Sequence, residues 1–214
     1  MNLLEKFLRL DRRILFAAVA VCVALPTLFP LNLRVSASPP TLALYDYIDH
    51  LRPGTAVVLS IDYDPATDAE LTPMAYALAR HCRARHLPLI FMSLDPGGVG
   101  LAVNIADRWA RETGAVYGED YVVLGYKAGI DAVILALGRD IKLAYPADIN
   151  NRPLNELPLM RRVRTYGDIG IVVTLASAGY PELWVPFAHE RYGAKIGAGV
   201  TAVMAPDYYP YLQT

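Results

Sequence analysis

AVVLSIDYDPATDAELTPMA, residues 56–75, decides how the chain is read. Residues 56–61 are almost wholly apolar, rich in β-branched side chains and without alternation, which predicts a strand covered on both faces, as in a parallel sheet. An acidic stretch follows at once, with Asp62, Asp64, Asp68 and Glu70 inside nine residues. Beyond it, Thr72-Pro73 offers a cap with proline in the first helical turn, and Met74, Leu78 and Cys82 share one stripe of a helix that closes at His86-Leu87-Pro88. On that reading 62–71 is a loop of ten residues, against the ~2–6 usual after a strand. The competing start has Thr67 and Glu70 as a capping box, which shortens the loop and puts Pro73 inside the helix.

The strand–helix unit recurs outward from this stretch. Leu89 to Leu94 is a second buried strand, turned by Asp95-Pro96-Gly97-Gly98 into a helix marked by Leu101, Ile105 and Trp109 that ends at Gly114. Tyr121 to Leu124 is a third strand, with an apolar helix from Ile130 to Leu137 behind it. Residues 145–168 carry Pro146, Asn150, Asn151, Pro153 and Pro158, an excursion with room for one short helix around Leu159 to Val163. Ile169 to Leu175 is the fourth strand, Pro181 to Tyr192 its helix, and Lys195 to Val203 the fifth. A short helix from Pro39 to Leu51 leads into the first. Strands alternating with helices predict one α/β domain, Rossmann-like or flavodoxin-like, in three layers around a mainly parallel sheet of about five strands.

The 214 residues, 54% of them hydrophobic, suit one such domain plus an apolar segment. That segment is residues 14–33, twenty residues without a charge, flanked on the N-terminal side by Lys6, Arg9, Arg12 and Arg13. Roughly 20 apolar residues span a bilayer core of ~30 Å, and the cations hold the N-terminal side in the cytoplasm. The expected organisation is therefore a basic cytoplasmic 1–13, a transmembrane helix or signal segment at 14–33, and an extracytoplasmic domain over 38–214. Val35-Ser36-Ala37 would serve a signal peptidase, and either reading leaves the domain outside the cytoplasm. Twenty basic against twenty-one acidic residues give a net charge of −1, which provides no field to attract nucleic acid.

In an open parallel sheet the ligand crevice lies beyond the carboxyl ends of the strands. The residues expected there are Asp62, Ser93, Asp95, Gly97, Gly98, Lys127, Ser177 and Asp207. They form no complete catalytic set, so the first expectation is a domain that binds a ligand, or assembles with copies of itself, without metal or cofactor. Gly97 to Gly100 would let amides approach a phosphate, but they do not form the dinucleotide fingerprint. Ser177 lacks the first glycine of a nucleophile elbow, and Cys82 with His86 is a sparse zinc set among arginines.

Two resemblances rest on these residues. Asp62 and Asp64 at a strand end, with Ser93 and Lys127 on later strands, resemble the haloacid-dehalogenase-like phosphatases. That resemblance implies a metal-assisted hydrolase in which Asp62 is nucleophile or metal ligand, Asp64 acid or base, Lys127 the steadying cation, and Mg2+ is held by Asp62 and Asp64. Residues 65–67 are Pro-Ala-Thr, and the acidic motif near the last strand and the cap region of those enzymes are missing. Secondly, LYDYI (44–48), SIDY (60–63), LGYKAG (124–129) and GVTAVMAPDYYPYLQ (199–213) resemble a family of uncharacterised bacterial membrane-anchored α/β proteins. Such proteins continue into a glycine-rich segment and a second apolar helix, so the resemblance implies that a chain ending at Thr214 is a C-terminally truncated member. It implies topology and a membrane partner, and no catalytic residue.

Overall fold

The computed structural model describes residues 11–29 and 36–212. The chain divides into two compact units, Met1–Ser38 and Pro39–Thr214. In the first, helix α1 (Arg12–Leu28) is capped by the Asp11 carboxylate, which accepts from the Arg13 amide at 3.0 Å, and it contains Pro26. Its 17 residues rise about 26 Å at the helical pitch. No helix among the described residues is long and apolar enough to cross a membrane. The end of the expected span, 30–33, lies outside the described residues.

The second unit is α/β, and its described strands form one five-stranded, all-parallel sheet in the order β3-β2-β1-β4-β5. The strands are β1 (Ala56–Asp62), β2 (Leu89–Ser93), β3 (Tyr121–Tyr126), β4 (Ile169–Ala176) and β5 (Ile196–Val200). This order matches the dinucleotide-binding α/β sheets and not the 2-1-3-4-5 order of flavodoxin. Every residue of β1 is buried, because its two faces feed different cores. Val57, Leu59 and Ile61 pack with helices α2 (Pro39–Asp49), α3 (Asp68–Ala84) and α4 (Gly98–Thr113). Ala56 and Val58 join the opposite core with α5 (Ile130–Arg139) and the segments beyond it.

Of the two starts expected for the helix after β1 the structure takes the second: Thr67 is the N-cap residue, the helix begins at Asp68 with Pro73 in its interior, and only residues 63–67 connect strand to helix. The Asp64 carboxylate caps the 3-10 turn Pro65–Thr67 by accepting from the Ala66 amide at 2.8 Å. Thr67 and Glu70 do not form the expected capping box: the Thr67 hydroxyl donates to the Asp64 carbonyl, and Glu70 Oε1 accepts from the Ala202 amide at 2.6 Å, tying α3 to the chain beyond β5. The last strand is shorter than expected and leaves the sheet at Val200.

The excursion before β4 contributes core rather than loop. It holds α6 (Ile141–Ala144), α7 (Pro158–Arg162) and 3-10 turns at Leu154–Glu156 and Tyr166–Asp168. Tyr145, Leu154, Leu159, Met160 and Tyr166 are buried in the α5-side core. The Ile149 amide donates to the Val123 carbonyl at 2.9 Å, so the excursion also covers the outer edge of β3, a place where an open strand would invite pairing with other chains. After β4 a continuous helical run comprises α8 (Tyr180–Trp184), a π turn (Val185–His189) and α9 (Glu190–Tyr192). The short α10 (Ala205–Tyr208) follows β5.

Candidate functional site

The connection reverses direction between β1 and β4, so the crevice of such a sheet opens at their carboxyl ends. Asp62 closes β1 there and is 0% exposed. Its Oδ1 accepts from the Ser60 hydroxyl at 2.8 Å and the Leu94 amide at 2.7 Å, and its Oδ2 accepts from the Thr174 hydroxyl at 2.6 Å. The donors come from β1, the β2 end and β4, so the carboxylate stitches three adjacent strands. Burial lifts its pKa to about 6, against the opposing pull of the bonds from Thr174, Leu94 and Ser60, with the charge of Asp95 adding to the rise.

Beside it, Ser93 is buried with its single hydroxyl proton between the carbonyls of Ile61 (2.5 Å) and Asp95 (2.6 Å). Asp95 Oδ1 accepts from the Gly97 amide at 2.7 Å and Oδ2 from the Tyr180 hydroxyl at 2.9 Å. Because Asp95 follows β2 and Tyr180 begins the helix after β4, that second bond reaches across the end of β1. The Tyr180 phenol is held protonated by burial first and then by Asp95. Below lies Tyr145, 0% exposed, whose hydroxyl has no partner within the described residues and whose phenol is held protonated by burial and by the charge of Asp62.

The expected site residues therefore divide. Asp62, Ser93, Asp95, Gly97 and Gly98 form one connected group; the Gly98 amide donates to the Asp95 carbonyl at 3.1 Å. Lys127, Ser177 and Asp207 are not joined to it by any hydrogen bond or ion pair among the described residues, and Lys127 and Asp207 are exposed. With the Gly97 and Gly98 amides already directed at Asp95, only the Val99 and Gly100 amides of the first turn of α4 remain for a ligand. The carboxylate of Asp95 opposes an anion at that place.

Asp62 and Asp64 do not fit a shared Mg2+. The ion needs near-octahedral oxygen ligands, whereas the Asp62 oxygens are filled by three donors inside the core and Asp64 caps a turn. The same enclosure keeps Asp62 from in-line attack on a phosphorus centre. Among the described residues no group of three His, Cys, Asp or Glu is placed to hold a metal. Burial pushes the Cys82 thiol up to about 12, the opposite of what a metal ligand requires. His189 is bonded to the Ala194 carbonyl at 2.9 Å, at the amino end of β5 and far along the sheet from Ser177.

Sequence reasoning passed over Thr174 and Tyr145 as members of the group. Thr174 had a signal: it is a hydroxyl in the apolar run IGIVVTLA, as Ser60 is in β1. Tyr145 had none, because nothing local shows that the excursion returns beneath the end of β1. Comparison with known protein families, with curated proteins and with solved structures finds no match for this chain.

Proposed function

We propose that the chain is a membrane-anchored, extracytoplasmic α/β domain that binds a small ligand non-covalently in the crevice between the β1 and β4 ends. The observation that carries the reading is the Asp95–Tyr180 hydrogen bond of 2.9 Å: two polar groups from opposite sides of β1 meet over the crevice while Asp62 beneath them is saturated. The acids Asp64 and Asp95 favour a neutral or cationic ligand that offers hydrogen-bond donors over a phosphate. Tyr145 supplies a buried hydroxyl still in need of a partner. Full-length protein purified in mild detergent from its host is expected to carry a small molecule detectable by native mass spectrometry. Asp95→Asn combined with Tyr180→Phe lowers its occupancy at least about tenfold. A native chain that carries nothing yet hydrolyses a generic phosphate ester with Mg2+ would refute this in favour of the hydrolase.

Anchoring is the second part of the proposal. It is supported by the uncharged run 14–33, by the cations before it, and by the resemblance to membrane-anchored bacterial proteins. The full chain is expected to stay in the membrane pellet after an alkaline carbonate wash; its release into the supernatant would end the anchor reading.

A further inference from the structure

The opposite edge of the sheet has the opposite electrical character. A cavity of about 620 Å3 opens at the amino ends of β1, β4 and β5, within the ~300–1,000 Å3 range of small-molecule sites. Three cations from three separate segments line it: Arg52 from the turn before β1, Arg162 from the end of α7, and Lys195 immediately before β5. Elsewhere on this edge arginines are matched to acids, Arg83 to Asp120 at 3.1 Å, Arg85 to Asp49 at 3.4 Å and Arg164 to Asp140 at 2.5 Å. Arg52, Arg162 and Lys195 have no carboxylate partner among the described residues. The one acid lining the cavity, Asp168, turns its Oδ2 to the amides of Arg164 and Thr165 at 2.9 and 3.1 Å. The walls are held in place: the Tyr47 hydroxyl donates to the Gly170 carbonyl at 3.1 Å, fixing α2 on the start of β4, and Tyr166 is fixed to the Ile134 carbonyl at 2.7 Å.

Like charges converging on a concave surface repel one another and focus a positive potential into it. A multivalent anion relieves that repulsion, and guanidinium groups present the planar donor fork that matches phosphate oxygens. We infer that this amino-edge cavity is a binding site for a phosphate monoester or diphosphate group, carried either by a soluble small molecule or by a lipid headgroup. It is separate from the crevice at the carboxyl ends, and neither reading depends on the other.

The test is calorimetric titration of the full chain in neutral detergent with inorganic pyrophosphate, glycerol 3-phosphate and water-soluble dihexanoyl phosphatidic acid. At least one phosphate probe binds saturably, and Arg52→Gln combined with Arg162→Gln weakens it about tenfold or more. Arg111→Gln, which removes an arginine from α4 away from the cavity, leaves binding unchanged. Tighter binding of the phosphatidic acid than of glycerol 3-phosphate identifies a lipid headgroup as the source, and equal binding identifies a soluble ligand. Lys195→Gln alone supplies the same readout should the double variant fail to fold. No saturable binding of any probe, or equal weakening by Arg111→Gln, overturns the inference.

Discussion

Asp62→Asn is expected to make the protein more stable at pH 8, by up to about 3 kcal/mol. The carboxyl titrates at about 6 in the folded chain because burial disfavours its charge, and near 3.9 when unfolded. Between those values the folded state holds the proton that the unfolded state has released. Stability contributed by the protonated group is thus complete below about pH 4 and is lost as pH rises through 6. Two pH units correspond to roughly 2.7 kcal/mol. Asparagine keeps the acceptor for Ser60 and Leu94 and offers Thr174 a donor, and it cannot ionise. Urea midpoints of native and variant full chain should lie close together near pH 4 and separate progressively up to about pH 7. A variant less stable than the native chain at pH 8 would mean that the three hydrogen bonds outweigh desolvation.

The sheet was legible because its strands are continuous apolar runs, and residues 56–61, 89–94 and 169–175 read as strands wherever they are placed. Strand order was not legible: nothing in those runs says that β4 returns beside β1 rather than beyond β3. That return is what makes Thr174 a donor to Asp62 and brings Tyr180 to Asp95. The helix after β1 was legible only as a choice between two starts, and the reason is local. Pro73 reads as a first-turn residue, and the start at Asp68 is stabilised by tertiary bonds, Glu70 to Ala202 and the Tyr63 hydroxyl to that of Thr72 at 2.7 Å, which propensity does not contain. The acidic stretch that looked like a cluster is dispersed by the fold, Asp62 into the core, Asp64 to a cap, Asp68 to Thr72 and Glu70 to the chain after β5. Four neighbouring carboxylates in sequence thus have four different partners, which is why spacing alone suggested a metal pair that the structure does not assemble.

Gly98→Ala is expected to destabilise the full chain by about 3 kcal/mol or to prevent folding. Gly97-Gly98 read as turn chemistry with a phosphate reading beside it, yet the fold uses Gly98 for contact. A Cβ there would lie 2.0 Å from the Ile61 carbonyl oxygen and 2.6 Å from the Ser93 hydroxyl. The first obstacle is backbone in the middle of the sheet and cannot rotate aside; the second already bonds Ile61 and Asp95. Helix α4 would have to lift from the β1 end, breaking the Asp95 contacts to the Gly97 and Gly98 amides and with them the partner of Tyr180. At Gly100, further along the same turn, an added methyl would meet nothing within 4 Å, so Gly100→Ala should be neutral or slightly stabilising through helix propensity. Urea unfolding of the two variants separates the explanations. A large loss at Gly98 with none at Gly100 locates the requirement in the β1–α4 contact, whereas equal losses would show that this contact is not its source.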